Sequence, residues 1–134
     1  MAENIKFEVV TPEKLVVNEN VQIVVAPGDL GEFGILSGHT PFLSTLKTGV
    51  IRYTDEKGND RYVFVSGGFA EALPDKVTVL AESAERKRNI DKERAEASLK
   101  RAKERLEQSK RENMDIIRAE AALQRAVWRL KLAG

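Results

Sequence analysis

Arginine is the residue type with the most chemistry to offer in this sequence, and it comes in a repeat. Arg94-Ala-Glu-Ala-Ser-Leu-Lys-Arg-Ala-Lys-Glu-Arg-Leu106 lines up with Arg118-Ala-Glu-Ala-Ala-Leu-Gln-Arg-Ala-Val-Trp-Arg-Leu130 at an offset of 24 residues, and nine of thirteen positions are identical. A guanidinium is a planar fork of donors that suits bidentate contacts to phosphate and carboxylate. Two arginine-bearing copies therefore point to an anionic ligand or to an acidic protein surface. The competing reading is a solvated face whose arginines pair with nearby glutamates. Shared packing explains the common Ala and Leu, which are good helix formers, but does not require the arginines.

The elements that must carry these arginines are helices. Ala95, Leu99, Ala102 and Leu106 follow a 4-3-4 spacing, and so do Ala119, Leu123, Ala126 and Leu130. With this seam at zero and about 100° per residue, Arg94, Arg101 and Arg105 fall on one flank, about a quarter-turn away. Arg118, Arg125 and Arg129 fall on the equivalent flank of the second helix. An antiparallel pair has an approximate two-fold axis perpendicular to both helices, and that axis brings the two flanks to one face. The spacing thus predicts a helical hairpin with up to six arginines on one side. Asp91 can cap its first helix, with Glu93 favourable in the first turn. Residues 109–113 read as the turn, Asp115 as the start of the second helix and Gly134 as its end. Ile117, Ala121 and Trp128 point away from the seam, while Ile116 and Val127 lie on the flank opposite the arginines. A two-helix hairpin cannot cover all of these, so they should meet the rest of the chain or another protein. A hairpin of this size is marginally stable, which makes docking and undocking easy.

Other chemistry is excluded by composition. The 134 residues include no cysteine and a single histidine, His39, so disulfides, thiol nucleophiles and His/Cys metal clusters are ruled out. A Ser/His/Asp arrangement has nothing but His39 to build on. Gly28-Asp-Leu-Gly-Glu-Phe-Gly34 is glycine-rich but lacks the Gly-Lys-Ser/Thr ending of a phosphate-binding loop. Nucleic-acid binding is poorly supported, because the basic part has one aromatic, Trp128. The opening residues show no secretory leader, and the longest stretch uncharged but for His39, 34–46, is too short to span a bilayer. A soluble, non-enzymatic interaction protein is expected, without a metal site of its own.

The charge distribution divides the chain. Residues 1–85 hold 7 Lys and Arg against 13 Asp and Glu, whereas residues 86–134 hold 15 against 8. All four prolines, eight of nine glycines and seven of eight aromatics precede residue 80. Two structural units are expected. The first reads as all-β. Short runs such as Ile5 to Val9, Val21 to Ala26, Val50 to Thr54, Tyr62 to Ser66 and Val77 to Ala81 alternate or are β-branched, and turn clusters separate them. That spacing favours a sandwich or barrel, with a hairpin turn over residues 55–60.

Gly31-Glu-Phe-Gly-Ile-Leu-Ser-Gly-His-Thr-Pro-Phe-Leu43 resembles the GEhGhhxGHxPhh signature (h, hydrophobic) of the epsilon subunits of bacterial F-type ATP synthases, a family that corresponds to the mitochondrial delta subunit. Residues 46–50 (Leu-Lys-Thr-Gly-Val), 66–69 (Ser-Gly-Gly-Phe), 77–80 (Val-Thr-Val-Leu) and 84–85 (Ala-Glu) match as well, so the resemblance covers essentially the whole chain. It implies a β-sandwich of about ten strands over residues 1–86, followed by an antiparallel two-helix hairpin over 87–134. It also implies a non-catalytic place in the central rotor stalk, peripheral to the cytoplasmic face of the bacterial plasma membrane. The sandwich would bind the gamma subunit and the c-ring, with Gly31, Glu32, His39 and Thr40 carried over to those contacts; ordinary loop structure is the alternative for them. An isolated chain would be a monomer or a weak dimer, because its gamma-binding surface would be bare.

In the family the hairpin switches between a compact state against the sandwich and an extended state along gamma that inhibits ATP hydrolysis. The extended state inserts among the alpha and beta subunits, where Arg94, Arg101, Arg105, Arg118, Arg125 and Arg129 would face an acidic segment of beta. Some members bind ATP as a regulatory ligand in the compact state through Ile/Leu-Asp-x-x-Arg-Ala. Here Ile90-Asp91-Lys92-Glu93-Arg94-Ala95 matches in full. The further contacts implied fall on Glu85, Arg101, Arg125 and Arg129, the last two after a one-residue insertion relative to the family pattern. The alternative is that Asp91 merely caps the helix and Arg94 pairs locally. A free-standing ATP-sensing or adaptor module of the same fold is the second function considered.

Overall fold

The computed structural model describes residues 4–112 and 116–133, and the side chains of all of these except 111 and 112. It divides into two compact units, Met1–Lys87 and Arg88–Gly134.

The first unit is built from nine strands: β1 (Ile5–Val10), β2 (Leu15–Gly28), β3 (Gly31–Leu36), β4 (Phe42–Thr45), β5 (Gly49–Asp55), β6 (Asp60–Ser66), β7 (Phe69–Leu73), β8 (Lys76–Leu80) and β9 (Ser83–Arg86). They are hydrogen-bonded in the order β4-β7-β8-β1-β2-β5-β6-β9, with β3 also on β2. All pairs are antiparallel except β1 with β8. Among the described residues nine strands stand where about ten are expected, and the 14-residue β2 pairs with three neighbours. Its first half pairs with β1, and its second half pairs with β3 on one edge and β5 on the other.

Alternation explains the core. In β1, Ile5, Phe7 and Val9 point inward and are fully buried, while Lys6 and Glu8 face outward. Val77 and Val79 of β8 and Ile51 and Tyr53 of β5 do the same, and the Phe7 and Tyr53 rings meet edge to face at 5.0 Å. The turn after β5 is organised by Asp55, whose Oδ1 accepts the backbone N–H groups of Lys57 and Asn59, both at 2.9 Å. The Asn59 N–H above all holds the Asp55 carboxyl below its ordinary pKa. Gly68 is required where β7 begins. Its φ is +99°, and a Cβ there would lie 1.9 Å from the Leu80 carbonyl oxygen.

The second unit is a pair of packed helices, α1 (Lys92–Glu112) and α2 (Ile116–Ala133). Only residues 113–115 lie between them, so the two run antiparallel. Ala95, Ala102, Ala119 and Ala126 are buried, as the seam requires, whereas Leu99, Leu106, Leu123 and Leu130 are half-buried. The turn expected over 109–113 is corrected: α1 continues to Glu112. Ser109 stands seven residues after Ala102, and at 4% exposure it extends the seam of small side chains by one step. Lys110, Arg111 and Glu112 are good helix formers and add no reason to stop. Asp115 and Gly134 lie outside the described residues. Of the outward apolar residues, Ile117 is 82% exposed, and Ile116, Val127 and Trp128 are half-buried. Lys131 Nζ sits 5.0 Å from the centre of the Trp128 ring.

Candidate functional site

The start of α1 is set by Asp91. Its Oδ1 accepts the Arg94 backbone N–H at 3.1 Å, and its carbonyl accepts the Ala95 N–H at 2.9 Å. Asp91 is therefore the N-cap, which places Ile90 and Ala95 at the N′ and N4 positions of a hydrophobic staple. Arg94 falls at N3, exposed, with its guanidinium outside the capping bond. A cation in the first turn stands at the positive end of the helix dipole, where it is disfavoured, whereas an anion is favoured there.

Arg94, Arg101, Arg118 and Arg125 each immediately precede a buried seam alanine, so each stands on the rim of the helix–helix contact. Arg105 and Arg129 continue the same flanks. Arg94, Arg101, Arg105 and Arg118 are exposed, and Arg125 and Arg129 are half-buried. Arg101 Nη2 donates to Ser98 Oγ one turn earlier at 3.1 Å. Among the described residues, Arg94, Arg105 and Arg125 make no side-chain ion pair. Glu85 belongs to the other unit, in the middle of β9 opposite Phe64 of β6, and is half-buried.

In the sandwich, Gly31 pairs with Gly28 to close a tight β2–β3 hairpin, and Glu32 follows, exposed, opposite Pro27. Leu30 at the tip is fully exposed. His39 and Thr40 lie beyond the far end of β3, in the loop to β4. The His39 N–H donates to Leu36 O at 3.2 Å, and its Nδ1 bonds the Thr40 carbonyl at 2.7 Å. A carbonyl only accepts, so Nδ1 carries the proton and Nε2 is left for another partner. Although Glu32 and His39 stand at opposite ends of β3, their surroundings are joined by rings. His39 packs on Phe42 at 5.0 Å, and Phe42 meets Phe33 edge to face at 5.1 Å.

One surface was missed by motif reading. Thr45 pairs with Phe69, Phe69 with Leu80, Leu80 with Val10 and Val10 with Leu15, so these five residues form one row across β4, β7, β8, β1 and β2. Phe69, Leu80 and Leu15 in that row are 43%, 45% and 51% exposed. The Asp29 N–H donates to Thr45 O at 3.1 Å, which ties the Leu30 tip to the end of the row. On the same face Glu8 takes ion pairs from Lys6 at 3.4 Å and Lys76 at 3.6 Å. The signal in the sequence was the apolar residue at outward positions of strands whose inward positions are already apolar. Three large apolar side chains of the row are thus left open to solvent, with half-buried Val10 between Leu80 and Leu15.

Among the described residues no three His, Asp or Glu side chains gather to hold a metal ion, and no helix is long and apolar enough to cross a membrane.

Residues 4–87 match the beta-sandwich domain of the ATP synthase delta/epsilon chain, and residues 88–134 match its long alpha-helix domain. The chain is 64% identical over 107 residues to the ATP synthase epsilon chain of Desulfatibacillum aliphaticivorans, covering 80% of this chain and 76% of that one. It is 60% identical over 107 residues to the ATP synthase epsilon chain of Desulfosudis oleivorans, covering 80% of each. Among solved structures, a chain of the Euglena gracilis mitochondrial ATP synthase, in an assembly of OSCP, F1 and c-ring, superposes with a TM-score of 0.80 at 25% identity, covering 99% of this chain and 82% of that one.

Proposed function

The chain belongs to the ATP synthase delta/epsilon family, as an epsilon subunit without catalytic machinery of its own, and from that premise we propose how its two units divide the work. The sandwich is the coupling unit of the central stalk. Its Leu15–Val10–Leu80–Phe69–Thr45 row docks the gamma subunit, and the β2–β3 tip with Leu30, Gly31 and Glu32 meets the c-ring. His39 and Thr40 extend the gamma contact. The complex holds the chain at the cytoplasmic side of the bacterial plasma membrane as a peripheral component.

The hairpin is the regulatory unit. Its extended state inserts among the alpha and beta subunits and blocks hydrolysis, with the six arginines meeting an acidic segment of beta. Its compact state binds ATP through Ile90, Asp91, Arg94, Ala95, Arg101, Arg125 and Arg129, with Glu85 contributed by the sandwich. A ligand that binds one of two states shifts the balance by its differential affinity, so ATP acts as a release signal for the brake.

The observation that carries this reading is the placement of Arg94. It occupies the first turn of α1, where a cation opposes the helix dipole unless an anion is bound there. The experiment is reconstitution of a complex lacking this subunit. Added chain should slow hydrolysis at low ATP and release it at high ATP. Equal hydrolysis with and without the chain at all ATP concentrations would sink the regulatory part.

A further inference from the structure

β1 pairs with β2 in a register that sets Val9 opposite Val17 but Val10 opposite Leu15, so the ladder passes over Val16. A bulge leaves its extra residue out of the ladder. Val16 is half-buried and packs against the core, where a carbonyl lacking a donor is costly. The donor comes from the other end of the unit. Arg86, the last residue of β9, gives its Nε–H to Val16 O at 2.9 Å and its Nη2–H to Glu19 Oε2 at 3.4 Å. Both side chains are largely covered, at 20% and 28% exposure for Arg86 and Glu19.

Among the described residues β9 has a strand ladder with β6 alone. β5, which covers that edge of β2 further along, pairs with β2 only from Val21 onward. Arg86 therefore fastens the last strand to the stretch of β2 that β5 leaves open, using a side chain where no backbone ladder exists.

The geometry points to Arg86 as a clasp that fixes where the rigid sandwich ends and the tether of the hairpin begins. This rests on the reading of the hairpin as a mobile regulatory element. Five residues separate Arg86 from Lys92, the first residue of α1. With β9 released, the four residues Ser83–Arg86 join the tether and bring it to nine. Four freed residues add up to about 13 Å of reach. The effective concentration of a tethered element falls with roughly the −3/2 power of tether length, which for this change is ~2–3-fold. Loss of the clasp thus depletes the compact state and favours the extended, inhibiting one. Arg86 acts as a positioning residue and touches no ligand.

The test uses Arg86→Met, which keeps the apolar stem and removes every donor, and Glu19→Gln, which breaks only the ion pair. Amide hydrogen exchange is measured on the full chain, and hydrolysis on the complex reconstituted with each variant. In Arg86→Met the amides of Ala84, Glu85 and Arg86 should exchange about 10-fold faster while those of Ile51 and Tyr53 keep their rate. Hydrolysis by that complex should fall, by up to ~2–3-fold. Glu19→Gln should give the same ordering at smaller amplitude, and it stands in if Arg86→Met does not fold. Unchanged exchange in β9, or a loosened β9 with hydrolysis at the wild-type rate, overturns the proposal. If the wild-type chain itself fails to slow hydrolysis, the functional reading has failed, and the exchange result alone decides whether the clasp holds β9.

Discussion

Asp91 and Arg94 are joined, but not through their charges: the Asp91 carboxylate accepts the backbone N–H of Arg94 at 3.1 Å. The six residues from Ile90 to Ala95 therefore carry two messages at once. They start a helix, and they place a guanidinium at its rim. Asp91→Ala removes the cap and should cost the hairpin about 1 kcal/mol, whereas Asp91→Asn should cost only a few tenths because Asn caps almost as well. Helix melting of the full chain by far-ultraviolet dichroism separates the two. Equal losses for both variants would show that the carboxylate charge, and not the capping hydrogen bond, carries the stabilisation.

Phe69 and Leu80 lie side by side on the outward face, paired across β7 and β8. Phe69→Asp leaves the buried core untouched, so melting of the sandwich should stay within about 1 kcal/mol of wild type. Burying a charge in the docked face should weaken capture of the gamma subunit at least ~10-fold. Wild-type capture by a folded Phe69→Asp chain would move the docking surface elsewhere.

Asp55 sets an acid limit on the β5–β6 turn. Its folded pKa lies below the ordinary carboxylate value, chiefly through the Asn59 backbone N–H. In the range between the two values the unfolded chain binds the proton more readily. The turn's stabilisation is therefore present above about pH 4 and lost as pH falls through the lower folded value. Melting temperature followed from neutral pH to pH 2 should drop more steeply for wild type than for Asp55→Asn. Parallel curves would remove Asp55 from the acid response.

Gly68 is the strand start that tolerates no side chain. An added methyl would meet the Leu80 carbonyl at 1.9 Å, and the backbone stands at φ +99°. Gly68→Ala should destabilise the sandwich by more than ~2 kcal/mol, read by chemical denaturation. Gly58, also at positive φ but with open space around it, should cost less when changed to Ala. A smaller loss at Gly68 than at Gly58 would contradict the close approach.

Much of this was legible because period carries burial. Ile5, Phe7 and Val9 alternate with charged residues, and one buried face is the physical reason. The alanine seam was legible for the same reason at helical spacing, and Asp91 announced its helix. Ser109 misled because a polar residue beside Lys and Arg resembles a turn; its size, not its polarity, decides its place between closely packed helices. The Arg86 bond to Val16 was illegible in principle. It depends on a one-residue bulge and on partners 70 positions apart, and neither leaves a trace in local pattern. The outward row across β4, β7, β8, β1 and β2 needed the registers before its members could be seen as neighbours.

The proposed regulation depends on ATP held by the arginine flank of the hairpin. The most direct measurement is calorimetric titration of the full chain with ATP, followed in parallel by the fluorescence of Trp128, the sole tryptophan and a neighbour of Arg129. Wild type should bind saturably. Arg94→Ala and Arg125→Ala should each weaken binding ~10–100-fold, the loss expected for a hydrogen bond to a charged group. Arg105→Ala, on the same flank but outside the proposed contacts, should stay near wild type. Affinity unchanged in Arg94→Ala and Arg125→Ala, or no binding up to millimolar ATP, would contradict the account and leave the arginines to the acidic surface of the beta subunit alone.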